Sequence, residues 1–148
     1  MALWQYTFQV LTRESFESVE RELITQDVEF DEERYWLYKP IARTMFSELD
    51  RILKKTRSWS TDIDLYGDQE SNCFEVVFDP QTDTVLAASF RIDFTTSYED
   101  ILRLIMEFCL LNGLIILDEN RELVPFNLEE IVSLIKHAPQ VKKYNDLQ

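Results

Sequence analysis

Two runs of alternating apolar and polar residues, joined by a short loop of turn-forming residues, constrain the fold more than any other feature of this sequence. The first run covers residues 73–79 and the second covers 85–94. The loop between them, residues 79–83, reads Asp-Pro-Gln-Thr-Asp. Alternation with a period of two gives each strand one apolar face, and a loop of this composition lets the two strands pair. The sequence therefore predicts a β-hairpin at the centre of the chain.

Further elements are predicted on both sides of the hairpin. Alternation or short apolar runs predict strands at residues 4–10, 62–66, 114–117 and 123–124. Apolar residues at helical spacing, with capping residues, predict helices behind Thr12 and Ser15, from Pro40 to Leu53, from Ile101 to Asn112, and behind Asn127. Residues 26–38 are predicted as a connection with room for a short strand. The tail from Gln140 is predicted to be polar and frayed.

This arrangement predicts an α+β fold: an antiparallel sheet with a central hairpin and helices packed on one face. Residues 1–139 are predicted as a single domain and 140–148 as a polar C-terminal tail. If Phe74 and Phe90 face the helices, the opposite face of the sheet should be open, flat and acidic. The charged residues expected on that face are Asp62, Asp64, Glu75, Asp79, Arg91 and Asp93.

The net charge of −13 is distributed unevenly along the chain. Residues 58–83 contain seven acids and no Lys or Arg, whereas residues 35–57 contain six bases and two acids. An acidic surface repels nucleic acids and anionic membranes and attracts basic proteins, although solubility alone accounts for such a charge equally well. No targeting signal is visible, and charged residues interrupt the longest apolar run, so we expect no membrane span and a cytoplasmic protein.

The sequence lacks the residues that several kinds of chemistry require. With glycines only at positions 67 and 113, a glycine-rich phosphate-binding loop cannot be formed. One histidine and two separated cysteines exclude the usual zinc sites. His137 is expected at a helix end, and Cys73 and Cys109 are expected to be buried free thiols. The sequence predicts no cofactor and no catalytic residue.

A metal-dependent enzyme is the alternative. Asp62 and Asp64 lie two residues apart on a predicted strand and could hold Mg²⁺, with Glu75 or Asp93 as a third ligand. The pair resembles the acidic strand of nucleotidyltransferases. The Gly-Ser turn that precedes that strand in those enzymes is missing here, where residues 55–60 read Lys-Thr-Arg-Ser-Trp-Ser.

A protein-binding surface is the remaining reading, because aromatic anchors alternate with acids between residues 59 and 70. Aromatic side chains contribute strongly to interfaces, and acids attract a basic partner. The predicted partner-binding residues are Trp59, Asp62, Asp64, Tyr66, Asp68, Glu70, Glu75, Arg91 and Asp93. A self-complementary patch formed by Tyr35, Trp36 and Tyr38 would instead make the chain part of an oligomer, whose state the sequence does not give.

Short motifs add a resemblance to this reading. They are Trp4-Gln5-Tyr6, Ser58-Trp59-Ser60 with Asp62, Tyr66-Gly67-Asp68, Glu70-Ser71-Asn72 and Phe90-Arg91-Ile92-Asp93. With them the chain resembles a loosely defined group of small acidic bacterial proteins that are similar to immunity proteins, which neutralise toxins. The acidic charge favours a basic partner, and the resemblance adds that this partner is a toxin, for example a nuclease; it brings no established binding residues.

Overall fold

The computed structural model describes residues 2–23 and 30–147 of the chain. Residues 24–29, which include part of the connection predicted over 26–38, lie outside the described residues. No helix in the described ranges is long and apolar enough to cross a membrane. The elements are β1 (Gln5–Thr12), α1 (Arg13–Leu23), α2 (Glu32–Tyr38), a 3-10 helix (Arg43–Arg51), β2 (Lys55–Thr56), β3 (Ile63–Gly67), β4 (Cys73–Asp79), β5 (Thr84–Asp93), α3 (Glu99–Leu111), β6 (Leu114–Leu117), β7 (Leu123–Val124), α4 (Leu128–Lys136) and α5 (Pro139–Asp146).

Within the described residues, the strands form one antiparallel sheet in the order β2-β3-β4-β5-β1-β6-β7. The predicted central hairpin is β4–β5, in which Phe74 lies opposite Phe90. The two edge strands, β2 and β7, have only two residues each. Such short edges leave little backbone free to pair with another sheet. The predicted α+β class with an antiparallel sheet is confirmed.

Aromatic side chains form the centre of the core on one face of this sheet. The rings of Phe8, Phe90 and Phe74 stack across β1, β5 and β4, with centroids 4.9 and 5.8 Å apart. Phe46 of the 3-10 helix packs on Phe74 at 5.6 Å and on Phe108 of α3 at 5.9 Å. The 3-10 helix and α3 therefore cover the face that carries Phe74 and Phe90.

Local capping explains where several helices begin and end. The Thr12 hydroxyl accepts a hydrogen bond from the Ser15 N–H at 3.2 Å, just ahead of the first turn of α1. The Asn127 side chain accepts one from the Glu130 N–H at 3.1 Å and caps α4. Gly113 has φ +65° and follows α3, where a left-handed residue ends a helix. These boundaries agree with the predictions.

Helix α2 replaces the connection and optional strand that were predicted for its residues. Asp31 caps it by accepting a hydrogen bond from the Glu33 N–H at 3.1 Å, and Tyr35 and Trp36 are fully buried. Two adjacent buried aromatics give no 3.6-residue repeat, which is why periodicity missed this short helix. Because Tyr35 and Trp36 lie in the core, they cannot form an exposed oligomer patch with Tyr38.

Helix α2 lies where β1 and β5 separate. The pairing of the two strands ends at Gln9 and Ser89. Beyond that point the Ala88 N–H donates to the Glu32 carboxylate at 3.2 Å, and the Val85 N–H donates to the Ile41 carbonyl at 2.8 Å. Side chains and loop backbone thus satisfy the part of β5 that β1 leaves unpaired.

The predicted helix from Pro40 to Leu53 is a shorter 3-10 helix. Ala42 forms an isolated antiparallel bridge with Thr84, and the Arg43 N–H donates to the Asp83 carbonyl at 2.9 Å. These bonds hold the segment before Arg43 in an extended conformation. The helical turns can therefore begin only at Arg43.

The C-terminal segment, predicted to be frayed, forms α5. Pro139 occupies its first turn, a position that suits the fixed φ of proline. Tyr144 packs edge to face against Phe94 just after β5, with centroids 5.7 Å apart and an interplanar angle of 80°. This aromatic contact holds a mostly polar helix against the sheet domain.

Candidate functional site

The structure places Asp64 on the opposite side of the sheet from the predicted acidic face. Asp64 pairs with Val76 across β3 and β4, and directly paired residues point to the same face. Asp64 therefore shares the face of Phe74, and only 5% of it is exposed. The expected open face with Asp62, Asp64, Glu75, Asp79, Arg91 and Asp93 together does not exist, because its central member is buried on the helix side.

Two cations neutralise Asp64. The Arg43 guanidinium donates to both carboxylate oxygens, at 2.9 Å from Nε and 2.7 Å from Nη2, and Lys55 Nζ lies 3.2 Å from Oδ1. Arg43 also stacks over the Phe78 ring at 3.7 Å, and its hydrogen bonds to Asp64 raise its pKa. Neighbouring Tyr66 is buried, which raises the pKa of its hydroxyl. Asp64 therefore ties the 3-10 helix and the edge strand β2 to β3.

The carboxylates proposed as metal ligands do not converge. Glu75 pairs with Ser89, on the face opposite Asp64, and accepts from Arg91 Nη2 at 2.8 Å. Asp93, 6% exposed, accepts hydrogen bonds from the Ser71 and Thr95 side chains. In the described part of the chain, no group of three His, Cys, Asp or Glu side chains could hold a metal ion.

The aromatic and acidic residues between positions 59 and 70 do not form one surface. Trp59, with 72% of its area exposed, lies in the loop that leads into β3 at Ile63. Asp68 and Glu70 lie in the loop after Gly67, at the other end of a strand that spans about 13 Å at the usual rise per residue. Trp59 and these two acids therefore lie at opposite ends of the sheet.

Residues 68–72, which connect β3 to β4, form a loop held by side chains from two other strands; we call it the braced loop. Trp4 Nε1 donates to the Glu70 carbonyl at 2.7 Å. Gln5 Nε2 donates to the carbonyls of residues 69 and 71, at 3.0 and 2.6 Å. Arg91 Nη1 donates to the carbonyl of residue 69 at 3.4 Å. Three carbonyls of the loop are thus fixed by side chains of β1, of β5 and of the residue before β1.

A second set of bonds ties the braced loop to the end of β5. The Ser71 hydroxyl donates to Asp93 Oδ2 at 2.8 Å, and the Asp93 N–H donates to Asn72 Oδ1 at 2.7 Å. Asn72 Nδ2 donates onward to the Thr96 hydroxyl at 3.1 Å. The buried carboxylate of Asp93 therefore serves to position this loop.

Glycine is required where the braced loop begins. Gly67 has φ +90°, and a Cβ at this position would lie 2.4 Å from the Asn72 carbonyl oxygen. Within the loop, the Asp68 carboxylate accepts a hydrogen bond from the Glu70 N–H at 2.9 Å. The Asp68 N–H donates to the Asn72 carbonyl at 3.1 Å, which closes the turn.

The short motifs of the sequence largely meet at this loop. Trp4, Gln5, Arg91 and Asp93 contribute side-chain bonds, and residues 69–72 supply their partners. The prediction missed Trp4 and Gln5 as site residues. Alternation places Gln5 on the wet face of the strand, whereas the structure buries it fully under the braced loop, so the sequence pattern did not indicate its role.

The braced loop belongs to an acidic end of the molecule, which we define by the exposed carboxylates of Asp68, Glu70, Glu99 and Asp100. Glu99 and Asp100 begin α3, just after Thr96, which binds the loop. Between residues 58 and 102 the sequence contains one base, Arg91, and that base is paired with Glu75. Arg103 on α3 forms an ion pair with Asp100 at 3.6 Å, so three of the four carboxylates remain to set the charge of this end. Negative charge therefore collects on this end.

The two cysteines and the single histidine of the sequence have structural explanations. Burial raises the pKa of the Cys73 thiol to about 11 and also raises the pKa of Cys109. His137 Nδ1 lies 2.8 Å from the Ser133 carbonyl oxygen, one turn back at the end of α4. This contact gives His137 a place in the last turn of the helix.

Fold and site together define an α+β protein with an open antiparallel sheet and a braced acidic loop at one end. Comparisons of the chain with protein-family models, with curated proteins and with solved structures found no match.

Proposed function

We propose that this chain is a protein-binding module that uses the acidic end to bind a basic protein. The observation that supports this most is the bracing of residues 68–72. Two exposed acids, Asp68 and Glu70, sit on a loop whose carbonyls are fixed by Trp4, Gln5 and Arg91. Loops held by a rigid scaffold often mediate recognition.

The physical advantage of a braced loop lies in the entropy of binding. A flexible acidic loop would lose conformational freedom when a partner binds, and that loss subtracts from affinity. Here hydrogen bonds within the folded chain already restrict the loop. The negative potential of the acidic end also speeds the encounter with a positively charged surface.

A narrower form of the proposal follows from the resemblance to immunity proteins. An inhibitor of a basic toxin needs an acidic, preorganised surface and no catalytic residues of its own. The acidic end supplies such a surface, and a nuclease toxin, whose substrate is polyanionic, is a partner with the right charge.

The test compares two matched charge reversals, Glu70→Lys in the braced loop and Glu17→Lys on α1. Both residues are exposed acids, and α1 begins at the end of β1 farthest from the loop. Each tagged variant and the parent chain are expressed in the source cells, and the proteins that co-purify are quantified by mass spectrometry. We expect a basic protein to co-purify with the parent chain and with Glu17→Lys. The amount recovered with Glu70→Lys should be at least tenfold lower. Equal recovery with both variants, or partners without excess positive charge, would contradict the proposal.

A further inference from the structure

A cleft of about 400 Å³ lies beside the acidic end, between the segment after β5 and helices α4 and α5. Three aromatic side chains line it: Phe94, Tyr98 and Tyr144. Ile135 and Val141 add aliphatic wall. Its charged lining consists of Glu99 and Lys136, both of which are exposed.

The walls of the cleft suit the stem and the head of a long cationic side chain. Tyr98 is buried, and the rings of Phe94 and Tyr144 meet edge to face, so the walls combine aromatic faces with apolar area. Methylene groups of lysine or arginine pack well on such walls. The charged end is attracted by aromatic faces and by a carboxylate, which here is Glu99.

The cleft is continuous with the proposed binding surface. The hydrogen bond from Asn72 to Thr96 joins the braced loop to the segment that lines the cleft. A neighbouring depression of about 420 Å³ is formed by residues 96–100 and shares Tyr98 and Glu99 with the cleft. Its lining includes the acids Glu99 and Asp100, and Arg103 pairs with Asp100 at 3.6 Å. A cation entering from this side approaches the carboxylate of Glu99, which both hollows share.

We propose that this cleft receives one lysine or arginine side chain of the basic partner. The inference rests on the proposed function and specifies which part of the surface holds an anchor residue. Glu99 binds the cationic head, and the aromatic walls hold the stem. Lys136 opposes the incoming charge, so removing it should strengthen binding.

The test uses small probes in place of the partner. The full chain is titrated with butylammonium, with ethylguanidinium and with neutral 1-pentanol while backbone amide shifts are recorded by NMR. We expect both cations, but not pentanol, to shift amides in residues 94–99 and 141–145. Glu99→Gln should lower the affinity for both cations roughly threefold, and Lys136→Gln should raise it by a similar factor. Lys142→Gln, which removes the same charge on α5 outside the cleft, should leave binding unchanged.

Two outcomes would overturn the inference. Pentanol binding as tightly as the cations would show a merely apolar hollow, and cation shifts confined to residues 68–70 would show attraction without a cleft. If either result is found and Glu70→Lys still loses the basic partner, the cleft is not a binding site, whereas the proposed function is supported. If the cations bind in the cleft but Glu70→Lys recovers the partner normally, the cleft is a cation site and the braced loop is not part of the interface.

Discussion

Glu32 illustrates how one partly buried acid makes the stability of this chain depend on pH. Its carboxylate accepts the Ala88 N–H at 3.2 Å, and burial raises its pKa from 4.5 to about 7. Because the pKa is higher in the folded than in the unfolded state, the folded chain holds this proton more tightly. The cost of burying the charge is small below pH 4.5, grows as the pH rises and levels off above pH 7.

Replacing Glu32 with glutamine should therefore stabilise the protein more at high pH than at low pH. Glutamine can still accept the Ala88 N–H but has no charge to bury. We expect the gain in free energy of unfolding to be about 2 kcal/mol larger near pH 8 than near pH 5.5, measured by urea unfolding. Glu33→Gln, at the exposed neighbouring position, is the control. An equal pH dependence in that control would show that burial of Glu32 is not the cause.

Asp64 shows where alternation alone fails at the level of single residues. Ile63 and Leu65 are apolar, so a period of two predicts that Asp64 points to the solvent. In the structure β3 is covered on both sides, with Leu65 buried on one face and Asp64 on the other. Arg43 and Lys55 make this possible by neutralising the carboxylate. These ion pairs join residues that are not adjacent in the sequence, so no local pattern predicts them.

At the scale of elements, the sequence predicts those that local signals define and misses those that long-range contacts hold in place. The hairpin of β4 and β5 was predictable because its alternation and its turn residues are adjacent in the chain. The braced loop was not, since Gln5 contacts the carbonyl of residue 71 across 66 positions. Helix α5 is held by an aromatic contact with Phe94, another partner that the polar composition of the tail conceals.

The bracing itself can be tested with two glutamines of the same strand and the same face, Gln5 and Gln9. Gln5 donates to two loop carbonyls, whereas Gln9 Oε1 is buried without a hydrogen-bond partner in the part of the chain that is described. Gln5→Met should cost about 2 kcal/mol of stability, because the carbonyl of residue 71 loses this donor and that of residue 69 keeps the longer bond from Arg91. Hydrogen exchange of the amides in residues 68–72 should rise with it.

Gln9→Met serves as the matched control for this substitution. It removes the same polar group from β1 but deprives no loop carbonyl of its donor. We expect a change in stability below about 0.5 kcal/mol and no change in exchange of the braced loop. Equal exchange in both variants would show that Gln5 does not hold the loop.

For the whole molecule, the net charge of −13 affects stability and binding in opposite directions. Mutual repulsion among carboxylates opposes the compact state, and added salt screens it. The same screening would weaken the attraction that we propose between the acidic end and a basic partner. A change in ionic strength therefore distinguishes the general effect of the charge on stability from its proposed effect on partner binding.

Raising the ionic strength from about 20 to about 200 mM shortens the screening length from roughly 20 to roughly 7 Å. We expect the urea midpoint of the chain to rise, while association with the basic partner slows by roughly tenfold or more in stopped-flow measurements. Glu70→Lys should show the same rise in midpoint but a flatter salt dependence of association, because only the acidic end has changed. A midpoint that falls with salt would mean that ion pairs such as Arg91–Glu75 outweigh the repulsion. An association rate independent of salt would mean that partner binding does not depend on the acidic end.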